Sequence, residues 1–269
     1  MRLANKRIVV VGAGSVGGVS DELPSNGRAA ATLFAREGAE VLAVDRSGEA
    51  AEATCAALRS EGLEATPLEA DVTTDADRIV EAARNMWGGL DVVHYNVGIS
   101  RKGGLFDEGE SDWRAVFAVN LDAAWALTRA AAPAMGRGGA FLYVSSVAAI
   151  RGGAYAYTSY EVSKAALGRL ARSVAVELAP RGIRANTILP GLIDTPHAAH
   201  FVAGGRDLDA FRAGRAALVP LARQGTAWDV AEAAAFLASD AAGYITGVEL
   251  PVDGALSLVG PGYGAKPPA

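Results

Sequence analysis

Ile8-Val9-Val10-Val11-Gly12-Ala13-Gly14-Ser15-Val16-Gly17 is the stretch whose reading decides the fold. Four β-branched apolar residues run without a polar interruption and stop at glycine. That is the pattern of a short strand buried on both faces. The glycines that follow are spaced G-x-G-x-x-G, which lets the backbone turn tightly and approach another group closely. The next helical run, Ala29 to Glu37, starts well beyond Gly17. A second candidate turn, Asn26-Gly27-Arg28-Ala29, stands directly before it.

Downstream the same alternation repeats. Glu40 to Val44 reads as a strand ending in Asp45-Arg46, and Ser47 to Glu61 as a helix. Ala65 to Ala70 is a third strand leading to Asp71-Val72, and Pro67, which cannot donate to a ladder, puts it at a sheet edge. Asp75 to Trp87 is a helix, and Leu90 to Tyr95 a fourth strand ending in Asn96-Val97-Gly98. Asp112 to Met135 reads as one long helix with Asn120 inside its apolar stretch. Ala140 to Val144 is a strand running into Ser145-Ser146, and Arg184 to Leu189 a strand stopped by Pro190-Gly191. Gly247 to Val252 is the last strand, at an edge because of Pro251. Strands alternating with helices of ten or more residues give β-α units and a parallel sheet of the α/β class. Ligands of such sheets bind beyond the carboxyl ends of the strands, where the glycine loop, Asp45, Asp71 and Asn96-Val97-Gly98 all fall. A diphosphate is expected at the glycines, against a helix N-terminus. Asp45 is placed to accept ribose hydroxyls and would repel a 2′-phosphate, an effect Arg46 partly offsets. NAD is therefore expected ahead of NADP. Asp71 and Val72 are expected over the adenine.

The second decisive stretch is Ser159-Tyr160-Glu161-Val162-Ser163-Lys164. Val162, Ala166, Leu170 and Val174 fall on one face of a helix closed by Pro180, so Tyr160 and Lys164 stand one turn apart. A lysine cation favours the phenolate of a nearby tyrosine, whose ordinary pKa is about 10. The pair is suited to general acid-base work near neutral pH.

The 269 residues are 51% hydrophobic and carry a net charge of −5, which suits a globular chain without a nucleic-acid or membrane surface. Cys55 is alone and reads as inert core. The N-terminal residues lack the long apolar region of a signal peptide, and no run of apolar residues is long enough for a transmembrane helix, so a soluble cytoplasmic protein is expected. His94, His197 and His200 form no metal-like array, and no metal site is expected. From Asp194 to about Ala222 regular pattern is lost; this segment, with Arg206, Arg212 and Arg215, reads as a substrate loop.

At this point the sequence resembles the short-chain dehydrogenase/reductase family over nearly its whole length. Tyr160-x-x-x-Lys164 is similar to that family's active-site pair, and Ser146 and Asn120 match the other two members of its catalytic tetrad. Asn96-Val97-Gly98 resembles the end of its Asn-Asn-Ala-Gly motif. Pro190-Gly191 with Ile193 and Thr195 resembles its nicotinamide-amide segment, and Val252-Asp253-Gly254 its C-terminal signature. The resemblance implies a single Rossmann-type domain over residues 1–269, doubly wound, with a seven-stranded parallel sheet and helices on both faces. It implies hydride transfer between NAD(P) and a secondary alcohol or ketone, and a homotetramer or homodimer. Val11 stands where the family has threonine, Tyr95 where it has the first asparagine, and the glycine loop is stretched so that Gly12, Gly14, Gly17 and Gly27 share its work. A dinucleotide-binding sensor without turnover, or a dehydratase or epimerase on the same scaffold, is the rival reading.

Overall fold

The computed structural model describes residues 1–15, 23–153, 156–196, 207–260 and 263–264. Its strands are β1 (Arg7–Val11), β2 (Glu40–Asp45), β3 (Ala65–Glu69), β4 (Leu90–Tyr95), β5 (Met135–Val144), β6 (Arg184–Pro190), β7 (Ile193–Asp194), β8 (Gly225–Thr226) and β9 (Glu249–Val252). Seven of them form one parallel sheet in the order β3-β2-β1-β4-β5-β6-β9, while β7 pairs with β8. The order reverses direction between β1 and β4, which opens a crevice at their carboxyl ends.

The side chains of Ile8, Val9, Val10 and Val11 are no more than 1% exposed. Burying each contributes roughly 1.5–3 kcal/mol, which is why an uninterrupted apolar run settles at the sheet centre. Helices α1 (Asn26–Arg36) and α2 (Gly48–Ser60) cover one face of that sheet, and α3 (Ala76–Trp87) the other. Further along, α4 (Glu110–Phe117) leads to α5 (Ala123–Ala131), and α6 (Thr158–Leu178) packs with α3 and α5 on that second face. The series ends with α7 (Leu208–Ala216) and α8 (Ala227–Ala238), the latter against α1. Pro67 and Pro251 lie in β3 and β9, the two edges, where a missing N–H removes no ladder bond.

Four details differ from the sequence reading. The expected single helix from Asp112 to Met135 is interrupted by a π-helical turn at Ala118–Asp122, centred on Asn120. Met135 belongs to β5, where it pairs with Leu90 ahead of a register shift. Asn26-Gly27 is the first turn of α1, not a turn before it, because Ser25 takes the N-cap and accepts from the Arg28 amide. The segment expected to lack pattern contains α7, capped by Asp207. Gly17, His197, His200 and Arg206 lie outside the described residues. Among the described residues no helix is long and apolar enough to cross a membrane.

His94, on β4, is wholly buried with its ring edge-on to Phe34 at 5.5 Å, and neither ring nitrogen has a hydrogen-bond partner among the described residues. Burial pushes the imidazole down to about 4. An unfolded histidine takes its proton near pH 6.5, so between these values the unfolded chain binds the extra proton. Stability is therefore whole above about pH 6.5 and drains away toward pH 4, by roughly 3 kcal/mol. His94→Leu should flatten this acid limb when urea unfolding is compared at about pH 4.5 and 7. An unchanged difference between the two pH values would mean the imidazole is not its cause.

Candidate active site

The carboxyl ends of β1, β2, β4 and β5 bring the predicted residues to one side of the sheet. At the glycine loop, Gly12 continues the β1–β2 ladder, its amide donating to Val44 O at 2.8 Å. Its φ is +81°, and a Cβ there would meet Val97 at 3.1 Å, so glycine is required for both reasons. Gly27 is tighter still: a Cβ would fall 1.8 Å from Gly12 O, which lets α1 start directly against the loop. Asn96 donates its Nδ2 to that same carbonyl at 3.2 Å. Ser25 Oγ donates to Gly14 O at 2.7 Å, so the two ends of the stretched loop meet at its base.

Asp45 Oδ2 accepts from Gly14 N at 2.9 Å and Oδ1 from Ser47 N at 3.0 Å, which fixes the carboxylate beside the loop. Arg46 is exposed. Asp71 turns its carboxylate onto Thr73, accepting from the hydroxyl at 2.6 Å and the amide at 2.9 Å, and these bonds hold it below the usual carboxylate range. Val72 is buried behind it. Ser15 Oγ, next to Gly14 in the glycine loop, and Asn26 Oδ1, in the first turn of α1, are buried without a hydrogen-bond partner among the described residues. Polar atoms in that state ask for a ligand. With the glycine approach and the Asp45 carboxylate, these residues fit a dinucleotide.

The second half of the site is the crossing of β5 and α6. Lys164 is 3% exposed, and its Nζ donates to Val144 O at 2.9 Å. Ser145 Oγ donates back to Lys164 O at 2.7 Å, so strand and helix are tied in both directions. Burial lowers the ammonium to about 8, which still leaves about nine in ten charged at pH 7. Its Nζ lies 5.8 Å from the centroid of the Tyr160 ring. Ser146, just past the end of β5, accepts from Ala148 N at 3.1 Å and is close enough to the Tyr160 hydroxyl to favour its charged form.

The expected lowering of the phenol is not what this geometry gives. Burial raises Tyr160 above its ordinary value, and Ser146 offsets only part of that. The ammonium faces the ring and the Val144 carbonyl. At neutral pH the phenol therefore holds its proton and is poised as an acid.

Asn120 is fully buried in the π-helical turn. Its Oδ1 accepts from Ile99 N at 2.8 Å, and its Nδ2 donates to Ile99 O at 3.0 Å and to Ser163 Oγ at 3.0 Å. A Cβ on Gly98 would stand 2.8 Å from Lys164 Nζ and 3.5 Å from Asn120 Oδ1, so Gly98 is the gap through which the two groups meet. Pro190 ends β6 buried, and Gly191 N donates to Val252 O at 3.0 Å. Ile193 and Thr195 are buried beyond it.

Sequence reading missed Ser145 and Ser163, which tie the tetrad residues together. Ser163 had a signal, since it sits three residues after Tyr160 and faces Asn120. Tyr95, fully buried, donates its hydroxyl to Val119 O inside the π-helical turn, a bond with no sequence pattern of its own. In the substrate segment, Arg212 is paired with Asp194 at 2.9 Å and Arg215 donates to Ile193 O at 3.2 Å. Both cations pin α7 to β7.

A family profile described as Enoyl-(Acyl carrier protein) reductase matches residues 23–257. The chain is 34% identical over 261 residues to a 2,5-dichloro-2,5-cyclohexadiene-1,4-diol dehydrogenase of Sphingobium indicum, covering 96% of this chain and 98% of that protein. It is 36% identical over 265 residues to a 3-oxoacyl-[acyl-carrier-protein] reductase of Thermotoga maritima, covering 96% of this chain and all of the other. A crystal structure from Burkholderia xenovorans, assigned to the short-chain dehydrogenases/reductases, has a TM-score of 0.90 and 35% identity, covering 96% of this chain and 99% of that one. With one doubly wound sheet, the glycine approach and these relatives together, the chain belongs to the short-chain dehydrogenase/reductase family of oxidoreductases.

Proposed function

We propose that this chain, as a single domain over residues 1–269, interconverts a secondary alcohol and a ketone with NAD, using Tyr160 as the general acid and base. The observation that carries this reading is the buried Lys164 cation 5.8 Å from the centroid of the Tyr160 ring, with Ser146 beside the phenol. A non-catalytic binder has no use for a buried cation beside a phenol.

When bound, NAD supplies or accepts the hydride at its nicotinamide C4. The protein's own part is to bind, orient and move a proton. Tyr160 gives its proton to the oxygen of a ketone, or takes one from an alcohol, while Ser146 hydrogen-bonds that oxygen as its charge develops. When the proton leaves Tyr160, the Lys164 cation stabilises the phenolate, and more strongly in this buried setting than it would in water. Lys164 also holds the nicotinamide ribose hydroxyls, and Asn120 orders the turn from which a water links Lys164 to solvent. Asp45 accepts from the adenosine ribose, with Arg46, Asp71 and Val72 around the adenosine. Gly12, Gly14 and Gly27 give the diphosphate its approach to the backbone. Ser15 Oγ and the Asn26 amide, whose oxygen and nitrogen exchange by a flip, are its polar contacts. Asn96, Val97 and Gly98 with Pro190, Gly191, Ile193 and Thr195 line the nicotinamide end. The relatives support the substrate class, since their names denote a diol dehydrogenase, an oxoacyl reductase and, in Mus musculus, a (3R)-3-hydroxyacyl-CoA dehydrogenase. A cytoplasmic homotetramer or homodimer goes with this reading.

Tyr160→Phe should lower turnover by about two orders of magnitude or more, followed by reduced-cofactor absorbance on a panel of secondary alcohols and ketones. Its NAD dissociation constant should stay within about threefold of wild type. Turnover at the wild-type rate would remove Tyr160 from the chemistry. Asp45→Asn removes the charge and keeps one acceptor oxygen, enough for either the Gly14 or the Ser47 amide but not both. The ratio of kcat/KM with NADP to that with NAD should rise about tenfold, or about 1.4 kcal/mol. A ratio that stays put would show that Asp45 does not face the ribose.

A further inference from the structure

The helix that carries Tyr160 starts without a cap of its own. Tyr157 holds the N-cap position of α6, and its side chain makes no capping bond. A helix start leaves several amides without an intrahelical acceptor, and a side-chain oxygen at the N-cap commonly takes one. A phenol oxygen is carried too far from its own backbone to do so. Here both of the first two amides are taken by a single loop, the one that follows β4. Thr158 N donates to Gly103 O at 3.3 Å, and Ser159 N donates to Glu108 Oε2 at 3.0 Å. The second carboxylate oxygen, Oε1, accepts from Ser159 Oγ. Ser159 is fully buried and Glu108 half-buried, so the fork is partly shielded from solvent. Gly103 N donates to Ala156 O at 3.2 Å, closing the stitch from the other side. A Cβ on Gly103 would meet the Glu108 backbone at 3.1 Å, so the turn that aims the carboxylate is built close.

We propose that Glu108 is a positioning residue: its carboxylate is a long-range N-cap that fixes the first turn of α6 and, through Ser159, the Tyr160 phenol. The inference rests on the reading of Tyr160 as the acid. A negative charge at this end of the helix also suits the helix dipole. The loop that supplies the cap carries Gly98 and Ile99 at its start, against Lys164 and Asn120. The loop is thus tied to α6 through Ser159 and to Asn120 through Ile99, and its Gly98 lies against Lys164. A misplacement of the phenol by a fraction of its hydrogen-bond length is enough to cost rate without touching the dinucleotide end.

The test compares Glu108→Ala, Glu108→Gln and Ser159→Ala with wild type as full chains. Two readings are taken: amide hydrogen exchange over residues 158–162 without substrate, and kcat with the NAD dissociation constant. Glu108→Ala should speed exchange at the first-turn amides about tenfold or more while leaving residues 170–178 unchanged. It should lower kcat about tenfold or more with NAD affinity within about threefold. Glu108→Gln, which keeps one acceptor oxygen, should recover most of both, and Ser159→Ala, which keeps the amide bond, should fall between them. Unchanged exchange in Glu108→Ala overturns the cap. Faster exchange with unchanged kcat overturns the link to Tyr160. Exchange is decided on the protein alone, so it stands apart from whether Tyr160→Phe upholds the acid assignment. If Glu108→Ala does not fold, the Gln and Ser159 variants carry the same two comparisons.

Discussion

A lysine ammonium in a protein interior must be bonded or it gives up its proton, and Lys164 is bonded to the carbonyl of Val144. That one contact sets the angle at which α6 crosses the end of β5. The return bond from Ser145 Oγ to Lys164 O makes the crossing rigid, because neither element can slide without breaking a buried hydrogen bond. Ser146 follows directly on the strand, and Tyr160 lies one turn before Lys164 on the helix. Ser146 and Tyr160 are therefore placed by a bond that touches neither of them. Burial has opposite effects on the two ionisable partners: it lowers the lysine to about 8 and raises the tyrosine. Both shifts favour the neutral forms, so charge on the phenol is stable only while the cation remains beside it.

The glycine end of the crevice is built on closeness. Gly12 and Gly27 leave no room for a Cβ between β1 and α1, and Asp45 is held by two amides, those of Gly14 and Ser47. Asn96 adds a bond to Gly12 O, so the carboxyl ends of β1 and β4 share the Gly12 turn.

Much of this architecture was legible because buried parallel strands tend to continuous apolar runs, and β1, β2 and the Ala140 to Val144 part of β5 are such runs. Pro67 and Pro251 gave away the edges, since in mid-strand a missing donor is best tolerated there. The π-helical turn was not legible. Asn120 marks it only in three dimensions, where the side chain is used up by Ile99 and Ser163 and the Val119 carbonyl is met by Tyr95. Helix α7 was hidden because its apolar face is slight and its arginines read as solvated, whereas Arg212 and Arg215 hold it to β7. The start of α1 was obscured by the stretch after Gly14, and Ser25 as its cap is a local signal that the glycine pattern drew attention away from. Glu108 could not have been found by spacing, since its bonds to Ser159 span 51 residues.

The hydrogen bond from Ser25 to Gly14 has a consequence for how this loop tolerates change. It joins two residues that stand 11 positions apart in sequence, beyond the end of β1 and at the start of α1. The entropy cost of closing a length of chain grows only with its logarithm, by about 0.6 kcal/mol for each doubling. The contact is therefore only weakly sensitive to how many residues separate Gly14 from Ser25.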